Sequence, residues 1–311
     1  MEAFTIRDLE NLTGVKAHTI RIWEQRYNFL RPQRTSTNIR YYCNDELKKI
    51  LNIALLNKYG YKISTIDKMT ENVLKEKILS LNNPEAQQER ITHELIQAMV
   101  DMDIEGFEEV IDRQIHLRGI EKTIIHIIFP FLERVGVLWV TDNINPAQEH
   151  LVSNVIRQKL IVGIDAVNSR LQVDKTVILF LPEGEHHELG LLFVSFLLKC
   201  RGVQMIYLGA DVPLKDLAFV ARTKKPDFVY THITAAPNSL QLDRFIQHYC
   251  SQIDGVPLVI SGRPARAIRP ASPLVSLKQD FNEVISFINS ICNFLNAASF
   301  TSIIPVRASI R

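Results

Sequence analysis

The chain has 311 residues, of which 46% are hydrophobic and 23% are charged, a balance typical of a globular protein in water. Its length exceeds what one hydrophobic core usually supports, so we expect about two or three domains. No apolar run approaches the roughly 18 residues that span a bilayer, and the first residues are acidic rather than signal-like, which predicts a cytoplasmic protein with no membrane partner.

The formal net charge of +2 is unevenly distributed along the chain. Residues 1–70 contain 12 Lys and Arg against 7 Asp and Glu, so the remainder is slightly acidic. A basic N-terminal module on a neutral body indicates a polyanion partner for that module alone. The four cysteines are far apart and show no CxxC spacing, which supports neither a disulfide framework nor a cysteine-based zinc site.

The N-terminal residues predict two short helices joined by a turn. Thr5 and Asp8 have the spacing of a capping box, and Gly14 ends the helix that they begin. A second helix starts within a few residues, as in a helix-turn-helix. At about 100° per residue, Ile20, Trp23 and Tyr27 share an apolar face that docks this second helix.

The opposite face of the second helix is rich in hydrogen-bond donors, which suits the major groove of DNA. The segment after the helix is basic, polar and turn-rich, which suits a β-wing that touches phosphates. A solvated basic face is the alternative explanation. The residues predicted to contact double-stranded DNA are His18, Thr19, Arg21, Gln25, Arg26, Arg34, Arg40 and Tyr41.

This N-terminal block resembles the MerR family of transcriptional regulators. The resemblance rests on TGVKAHTIRIWEQRYNFLRPQR, RYY and DELKKILNIALLNKYGYKISTI, and it spans about residues 3–69. It implies a winged helix-turn-helix followed by two more helices, and we place this DNA-binding domain at residues 1–75. Ile39 follows Asn38 here, where the wing of that family usually has Asn-Gly.

Residues 84–171 show helical periodicity and no strand-like alternation. Four helices with short connections predict a bundle. Within it, Trp139 is followed after nine residues by Glu149 and His150. Taken singly, the tryptophan is an ordinary core aromatic and the Glu-His pair is ordinary polarity on a helix surface.

Residues 174–300 contain five short apolar runs separated by helix-length segments. The runs are TVILFL, VQMIYLG, DFVYTHI, PLVISG and PLVSL. This alternation predicts a parallel sheet covered on both faces, in a flavodoxin-like or Rossmann-like fold. The predicted chain is thus multidomain, α and α/β: a winged helix-turn-helix, a four-helix bundle and a Rossmann-like domain.

The segment LPEGEHHELG follows the first apolar run, at the edge of the sheet where such folds bind ligands. His187 can offer a neutral imidazole nitrogen to a metal, while Glu185 accepts the proton of the other ring nitrogen. Gly190 removes a side chain where a large flat ligand would approach the next helix. A solvated loop before a helix is the alternative.

This segment resembles the Asp-x-His-x-x-Gly signature in the cobalamin-binding domain of methionine synthase and related proteins. The resemblance implies that His187 is the lower axial ligand of cobalt, with Glu185 at the acidic position. It also implies a slot for the nucleotide tail of the cofactor, formed by Ser-x-Leu and Gly-Gly motifs. The corresponding residues here are Thr231, Ile233, Ser261 and Gly262.

The Trp-x9-Glu-His pattern resembles light-sensing, adenosylcobalamin-dependent MerR repressors of carotenoid synthesis. That resemblance implies that Trp139, Glu149 and His150 cover the upper face of the corrin and enclose the adenosyl group. It implies a repressor rather than an enzyme, which binds operator DNA as a homo-oligomer, a dimer or tetramer, until light breaks the cobalt-carbon bond. Val140 stands where light-responsive members usually have a histidine.

Two other functions remain open from the sequence. A MerR-type regulator that does not bind cobalamin would use its C-terminal domains for a protein partner or another ligand, and Val140 and Ser261 favour it. A cobalamin-dependent methyl-transfer protein would need a barrel or a partner to hold the substrate. Nothing in this chain is long enough for such a barrel.

Overall fold

The computed structural model describes residues 4–140, 144–169, 171–234, 239–262 and 272–292, without the side chains of residues 139, 140 and 239–241. Contacts divide the described residues into two compact units, one up to Val155 and the other from Ile156 onwards. No helix in these ranges is both long and apolar enough to cross a membrane.

The first unit begins with the predicted helix-turn-helix. Thr5 caps α1 (Ile6–Thr13) through a capping box with Asp8, and Gly14 ends the helix in the left-handed region at φ 73°. Helix α2 (Ala17–Arg26) follows at once. The Glu10 carboxylate accepts hydrogen bonds at 3.0 Å from Lys16 Nζ and from the first backbone N–H of α2, and it thereby fixes the turn.

A two-stranded antiparallel wing follows α2. Strand β1 (Gln33–Arg34) pairs with β2 (Arg40–Tyr41), and Asn38 between them takes the left-handed φ of 65°. Asparagine tolerates this region better than most residues with a side chain. The wing therefore forms although the glycine that usually follows the asparagine is absent.

Three more helices complete the DNA-binding module, and only the first two are among the predicted elements. They are α3 (Asn44–Lys58), α4 (Ile63–Ile66) and α5 (Glu71–Leu79). The predicted domain boundary at residue 75 falls inside α5.

The middle of the chain is helical, as predicted. Its helices are α6 (Pro84–Val100), α7 (Ile104–Thr123), α8 (Phe129–Val140) and α9 (Pro146–Ala166). A π-helical turn over Ile124–Ile128 joins α7 to α8 without a break. Gly119 interrupts α7 at φ 79° and ψ 164°, a backbone conformation essentially restricted to glycine. Helix α9 runs through the point at which the two units divide.

The second unit contains a five-stranded parallel sheet of order β4-β3-β5-β6-β7, which is the flavodoxin-like order. All five predicted runs form its strands: β3 (Val173–Pro182), β4 (Val203–Val212), β5 (Phe228–Ile233), β6 (Leu258–Gly262) and β7 (Val275–Lys278). The helices of this unit are α10 (Leu189–Cys200), α11 (Leu214–Lys224), α12 (Ser239–Gln252) and α13 (Phe281–Cys292). The predicted Rossmann-like architecture is confirmed.

Different helices cover the two faces of the sheet. On one face, Ile233 of β5 lies in a core cluster with Leu217 of α11 and Leu242 of α12. On the other face, Tyr230 of β5 stacks on Phe287 of α13, with ring centroids 6.2 Å apart. Alternate residues of β5 therefore contact different layers. This alternation decides which side chains of the strand can share a site.

Candidate functional site

Helix α2 has the two faces that its sequence predicts. Ile20 and Trp23 are buried against the module, whereas Tyr27 lies one residue beyond the end of the helix and is half-buried. The residues predicted to read DNA lie away from this core: His18, Arg21, Gln25 and Arg26 are exposed, and Thr19 is half-buried. The docked helix thus presents a row of donors to solvent, while their contacts with DNA stay a prediction.

The three predicted wing residues differ in the hydrogen bonds and ion pairs that their side chains make within the DNA-binding module. Arg34 is exposed, and its Nη1 donates to Asn38 Oδ1 at 2.7 Å. Arg40 Nε lies 3.2 Å from the carboxylate of Glu24 in α2, so Arg40 ties the wing to that helix. Tyr41 donates to Gln33 Oε1 across the two strands at 2.6 Å. Arg34 is the freest of the three to reach a phosphate.

The residues predicted to cover a cofactor lie on α8 and α9. Trp139 belongs to α8, but its side chain lies outside the described residues, as does that of Val140. Glu149 Oε2 lies 2.9 Å from His150 Nδ1, and Glu149 also accepts a hydrogen bond from Ser153. The His150 side chain is 71% exposed, so the rest of its ring remains open to a ligand.

The loop between β3 and α10 holds a carboxylate-histidine pair. Glu185 is buried, and its Oε1 accepts the His187 backbone N–H at 3.0 Å and lies 2.5 Å from His187 Nδ1. Its Oε2 accepts the Thr234 backbone N–H at 2.8 Å. The His187 side chain is 63% exposed. Glu185 Oε1 can accept a proton from His187 Nδ1, and the tautomer with that proton has a lone pair on Nε2, which is the form that ligates a metal.

Asp211 of the neighbouring strand fixes the backbone of this loop. Asp211, at the end of β4, accepts the Gly184 N–H at 2.9 Å and donates its own N–H to the Glu185 carbonyl at 3.2 Å. It does so in the left-handed region, at φ 57°. The sequence offered no signal for Asp211, because its role depends on the pairing of β3 with β4. His186, the residue before His187, is exposed.

The space beside Gly190 is filled by protein, not open as predicted for a flat ligand. A Cβ at Gly190 would lie 2.5 Å from His232 Nε2, so the helix packs directly on the imidazole of His232. His232 Nδ1 lies 2.8 Å from Ser261 Oγ, which in turn lies 2.6 Å from the hydroxyl of Tyr230. The glycine makes room for a side chain of this domain.

Thr231 and Ile233, the predicted slot residues on β5, lie on the opposite face of the sheet from Gly190. Ile233 belongs to the apolar core, and Thr231 is buried with no hydrogen-bond partner for its hydroxyl among the described residues. His232 is the residue that shares a face with Gly190 and Ser261. The alternation of the strand was the available signal: since Ile233 is a core residue, His232 must point the other way.

Gly262 is a glycine for a local reason. Its φ is 101°, and a Cβ there would collide with the backbone carbonyl of Ile233 on the neighbouring strand. The packing of β6 on β5 therefore requires this glycine whether or not a ligand binds nearby.

Protonation states at this face follow from burial. Burial lowers the pKa of His232 to about 4, although the charge of Glu185 opposes the shift, so the ring is neutral near pH 7. Burial also raises the pKa of Tyr230, which keeps its hydroxyl protonated. Tyr230 can then donate to Ser261, whose own hydroxyl donates to His232 Nδ1.

Two parts of the chain match known families. Residues 4–73 match the MerR HTH family of regulatory proteins, and residues 91–162 match a B12 binding domain. The chain thus combines a segment that matches a MerR HTH with a segment that matches a B12 binding domain. The second match falls on α6 to α9, the helices that the sequence predicts as the cap over a cobalamin.

Two curated relatives from Myxococcus xanthus align with most of this chain. The HTH-type transcriptional repressor CarA is 28% identical over 264 residues, which cover 84% of this chain and 87% of the relative. The HTH-type transcriptional repressor CarH is 27% identical over 271 residues, which cover 85% and 90% respectively. These matches confirm the prediction of a DNA-binding regulator rather than an enzyme.

A solved structure has a similar fold. The monomethylamine corrinoid protein of Methanosarcina barkeri superposes with a TM-score of 0.52 at 17% identity, and the match covers 65% of the present chain and 99% of that protein. At this identity the likeness concerns the fold alone. It agrees with a helical region followed by a Rossmann-like sheet.

Proposed function

We propose that this MerR-type regulator is a transcriptional repressor whose affinity for operator DNA is set by adenosylcobalamin bound to its sheet domain. The observation that carries the proposal is the Glu185-His187 pair at the carboxyl edge of β3. A corrin ring would itself supply most of the ligands of cobalt, so one imidazole of the protein would suffice to hold it.

The residues of the chain have separate tasks in this proposal. His187 would hold the cobalt of the cofactor, and Glu185 would fix the tautomer and raise the basicity of the ring. Trp139, Glu149 and His150 are proposed as further contacts of the cofactor. When bound, the adenosyl form would supply light-sensitive chemistry.

The DNA contacts are proposed for α2 and the wing. The exposed donors of α2, such as Arg21 and Gln25, suit base edges in the major groove, and Arg34 suits a phosphate. A cofactor changes DNA affinity only as far as it binds one state of the protein better than another. We propose that this state is a homo-oligomer, because linking several DNA-binding modules raises their effective concentration on the operator.

Cofactor binding is tested by absorption spectroscopy. The full-length protein is mixed with adenosylcobalamin in the dark and desalted, and we expect the corrin bands to remain with the protein. His187→Ala should lose the bands or shift those that report the axial ligand. His186→Ala, the exposed neighbour, is the matched control and should behave as the wild type. Wild-type protein that loses every corrin band would contradict the proposal.

Regulation is tested by a gel shift with the promoter region upstream of the regulator's own gene. We expect the shift to require adenosylcobalamin in the dark and to weaken after illumination. A gel shift that depends on adenosylcobalamin but not on light would support control by the cofactor and contradict the proposed light response. An identical shift in all lanes would leave a regulator that does not respond to a corrinoid.

One observation favours a second candidate, a MerR-type regulator without cobalamin: the imidazole of His232 fills the space beside Gly190. The spectroscopic test separates the two candidates. The methyl-transfer alternative is not retained, because both curated relatives that align with most of the chain are repressors.

A further inference from the structure

We infer that His232 and Ser261 are specificity-determining residues that close the slot for the nucleotide tail of a corrinoid. The sheet domain then prefers corrinoids without a lower nucleotide, the cobinamide class, over complete cobalamin. This inference rests on the proposed function, since it takes the ligand of His187 to be the cobalt of a corrinoid. Complete cobalamin would bind only with His232 displaced.

The first argument is steric. Gly190 is the second residue of α10, and the place where its side chain would start lies 2.5 Å from His232 Nε2 and 2.8 Å from His232 Cγ. The ring of His232 therefore occupies the space next to the helix backbone at Gly190. A planar nucleotide base cannot enter between α10 and β5 at this level without moving the imidazole.

The second argument is that the imidazole is held in place. Its Nδ1 is 2.8 Å from Ser261 Oγ, and Ser261 Oγ is 2.6 Å from the Tyr230 hydroxyl. Ser261 is buried, so neither bond is readily exchanged for one to water. Displacing His232 breaks at least one buried hydrogen bond, which corresponds to about a tenfold change in an equilibrium constant.

The third argument is that two neighbouring strands contribute to the closure. His232 of β5 and Ser261 of β6 are paired in register. Ser261 stands where the resemblance implies a glycine, and its hydroxyl is the group that orients His232. The two side chains therefore form one unit, and removing either should loosen the other.

The test compares two probes, adenosylcobinamide and adenosylcobalamin, by absorption titration of the full chain in the dark. The wild type should bind adenosylcobinamide at least about tenfold more tightly. His232→Ser and Ser261→Gly should each tighten adenosylcobalamin binding by about tenfold and leave adenosylcobinamide binding within about twofold. His248→Ser, an exposed histidine on α12, is the matched control and should keep the wild-type ratio.

Tyr230→Phe is a milder variant that is expected to fold, because it keeps the aromatic ring and removes only the hydrogen bond to Ser261 Oγ. It should shift the ratio in the same direction by a smaller factor, with an unchanged circular dichroism spectrum. Equal affinities for the two probes in the wild type and in every variant would overturn the inference and leave the proposed function standing.

The remaining outcomes separate the two proposals. Wild-type protein that binds adenosylcobinamide but not adenosylcobalamin, together with a His232→Ser/Ser261→Gly variant that binds both, would support the closed slot and remove control by complete adenosylcobalamin from the native chain. Failure of the wild type and of all folded variants to bind either probe would overturn both.

Discussion

Glu185 is a carboxylate buried at the edge of the sheet, and both of its oxygens accept hydrogen bonds. Glu185→Gln replaces one acceptor oxygen by a donor, so a backbone N–H or His187 Nδ1 loses its partner. We expect the free energy of unfolding to fall by about 1–3 kcal/mol and corrinoid affinity to fall by about 10–100-fold. Urea denaturation and absorption titration measure the two effects. Glu183→Gln, exposed in the same loop, should change neither, and equal behaviour of the two variants would argue against the pair.

His93 in α6 is buried with no hydrogen-bond partner for either ring nitrogen among the described residues. Burial lowers its pKa to about 3, and the nearby charges of Arg134 and Lys58 add to the shift. As pH falls below about 6.5, the unfolded chain takes up a proton that the folded chain excludes until about pH 3. The protonation of His93 therefore does not affect the free energy of unfolding at neutral pH. It lowers that free energy as the solution becomes more acidic than about pH 6.5.

The variant His93→Leu tests this assignment. It removes two unpaired polar atoms, so we expect it to be about 1–2 kcal/mol more stable than the wild type at pH 7. The gap should widen by about 1.4 kcal/mol per pH unit below about pH 6.5. Urea denaturation at pH 7 and pH 5 gives both values. A constant gap, or a variant less stable at pH 7, would show that His93 has a partner in solution.

At the scale of elements, α2 and the wing should contribute differently to DNA binding. Arg21→Ala on α2 should lower affinity for the operator by about 1–3 kcal/mol and relax sequence preference. Arg34→Ala on β1 should weaken binding to all sequences alike and reduce the slope of log K against log salt by about 1. Fluorescence anisotropy at several salt concentrations, with operator and random DNA, separates the two. Arg113→Ala in α7 removes the same charge outside the DNA-binding module and is the control. Equal losses of sequence specificity in Arg21→Ala and Arg34→Ala would refute the distinct roles of α2 and the wing.

Most elements of the fold could be predicted from sequence because they are encoded locally. The capping box at Thr5, the two faces of α2 and the five apolar runs all depend on residues close together in the chain. The Glu185-His187 pair could be predicted for the same reason. Strand alternation places His232 on the face opposite Ile233, but it does not predict the contacts of His232 with Gly190 and Ser261, because these depend on strand register and helix packing. His93 likewise required knowledge of which helices enclose it.

At the scale of the whole molecule, Glu89 joins the DNA-binding module to the bundle within the first unit. Its carboxylate lies 2.7 Å from Lys58 Nζ of α3 and 3.5 Å from Arg134 of α8. Glu89→Gln weakens both charged contacts and should lower the free energy of unfolding by about 1–2 kcal/mol. The loss is not larger because solvent partly screens the charge of Lys58. It should also reduce the factor by which adenosylcobalamin changes operator affinity.

Chemical denaturation and gel shifts with and without the corrinoid measure these two effects of Glu89→Gln. Glu85→Gln, an exposed carboxylate on the same helix, is the matched control. A Glu89 variant with normal stability and normal coupling would show that the module and the bundle communicate through other contacts.

The π-helical turn over Ile124–Ile128 has a consequence for the helical phase of everything that follows it. Such a turn holds one surplus residue relative to regular α-helix, and one residue corresponds to about 100° of rotation. Val135 and Leu138 are buried and Val137 is 41% exposed in the present phase. Deleting one residue from the turn would rotate α8 by about 100°, so that positions now buried would become exposed and exposed positions would become buried. The direction faced by the last turns of α8 therefore depends on the number of residues in the π-helical turn as much as on the residues of those last turns.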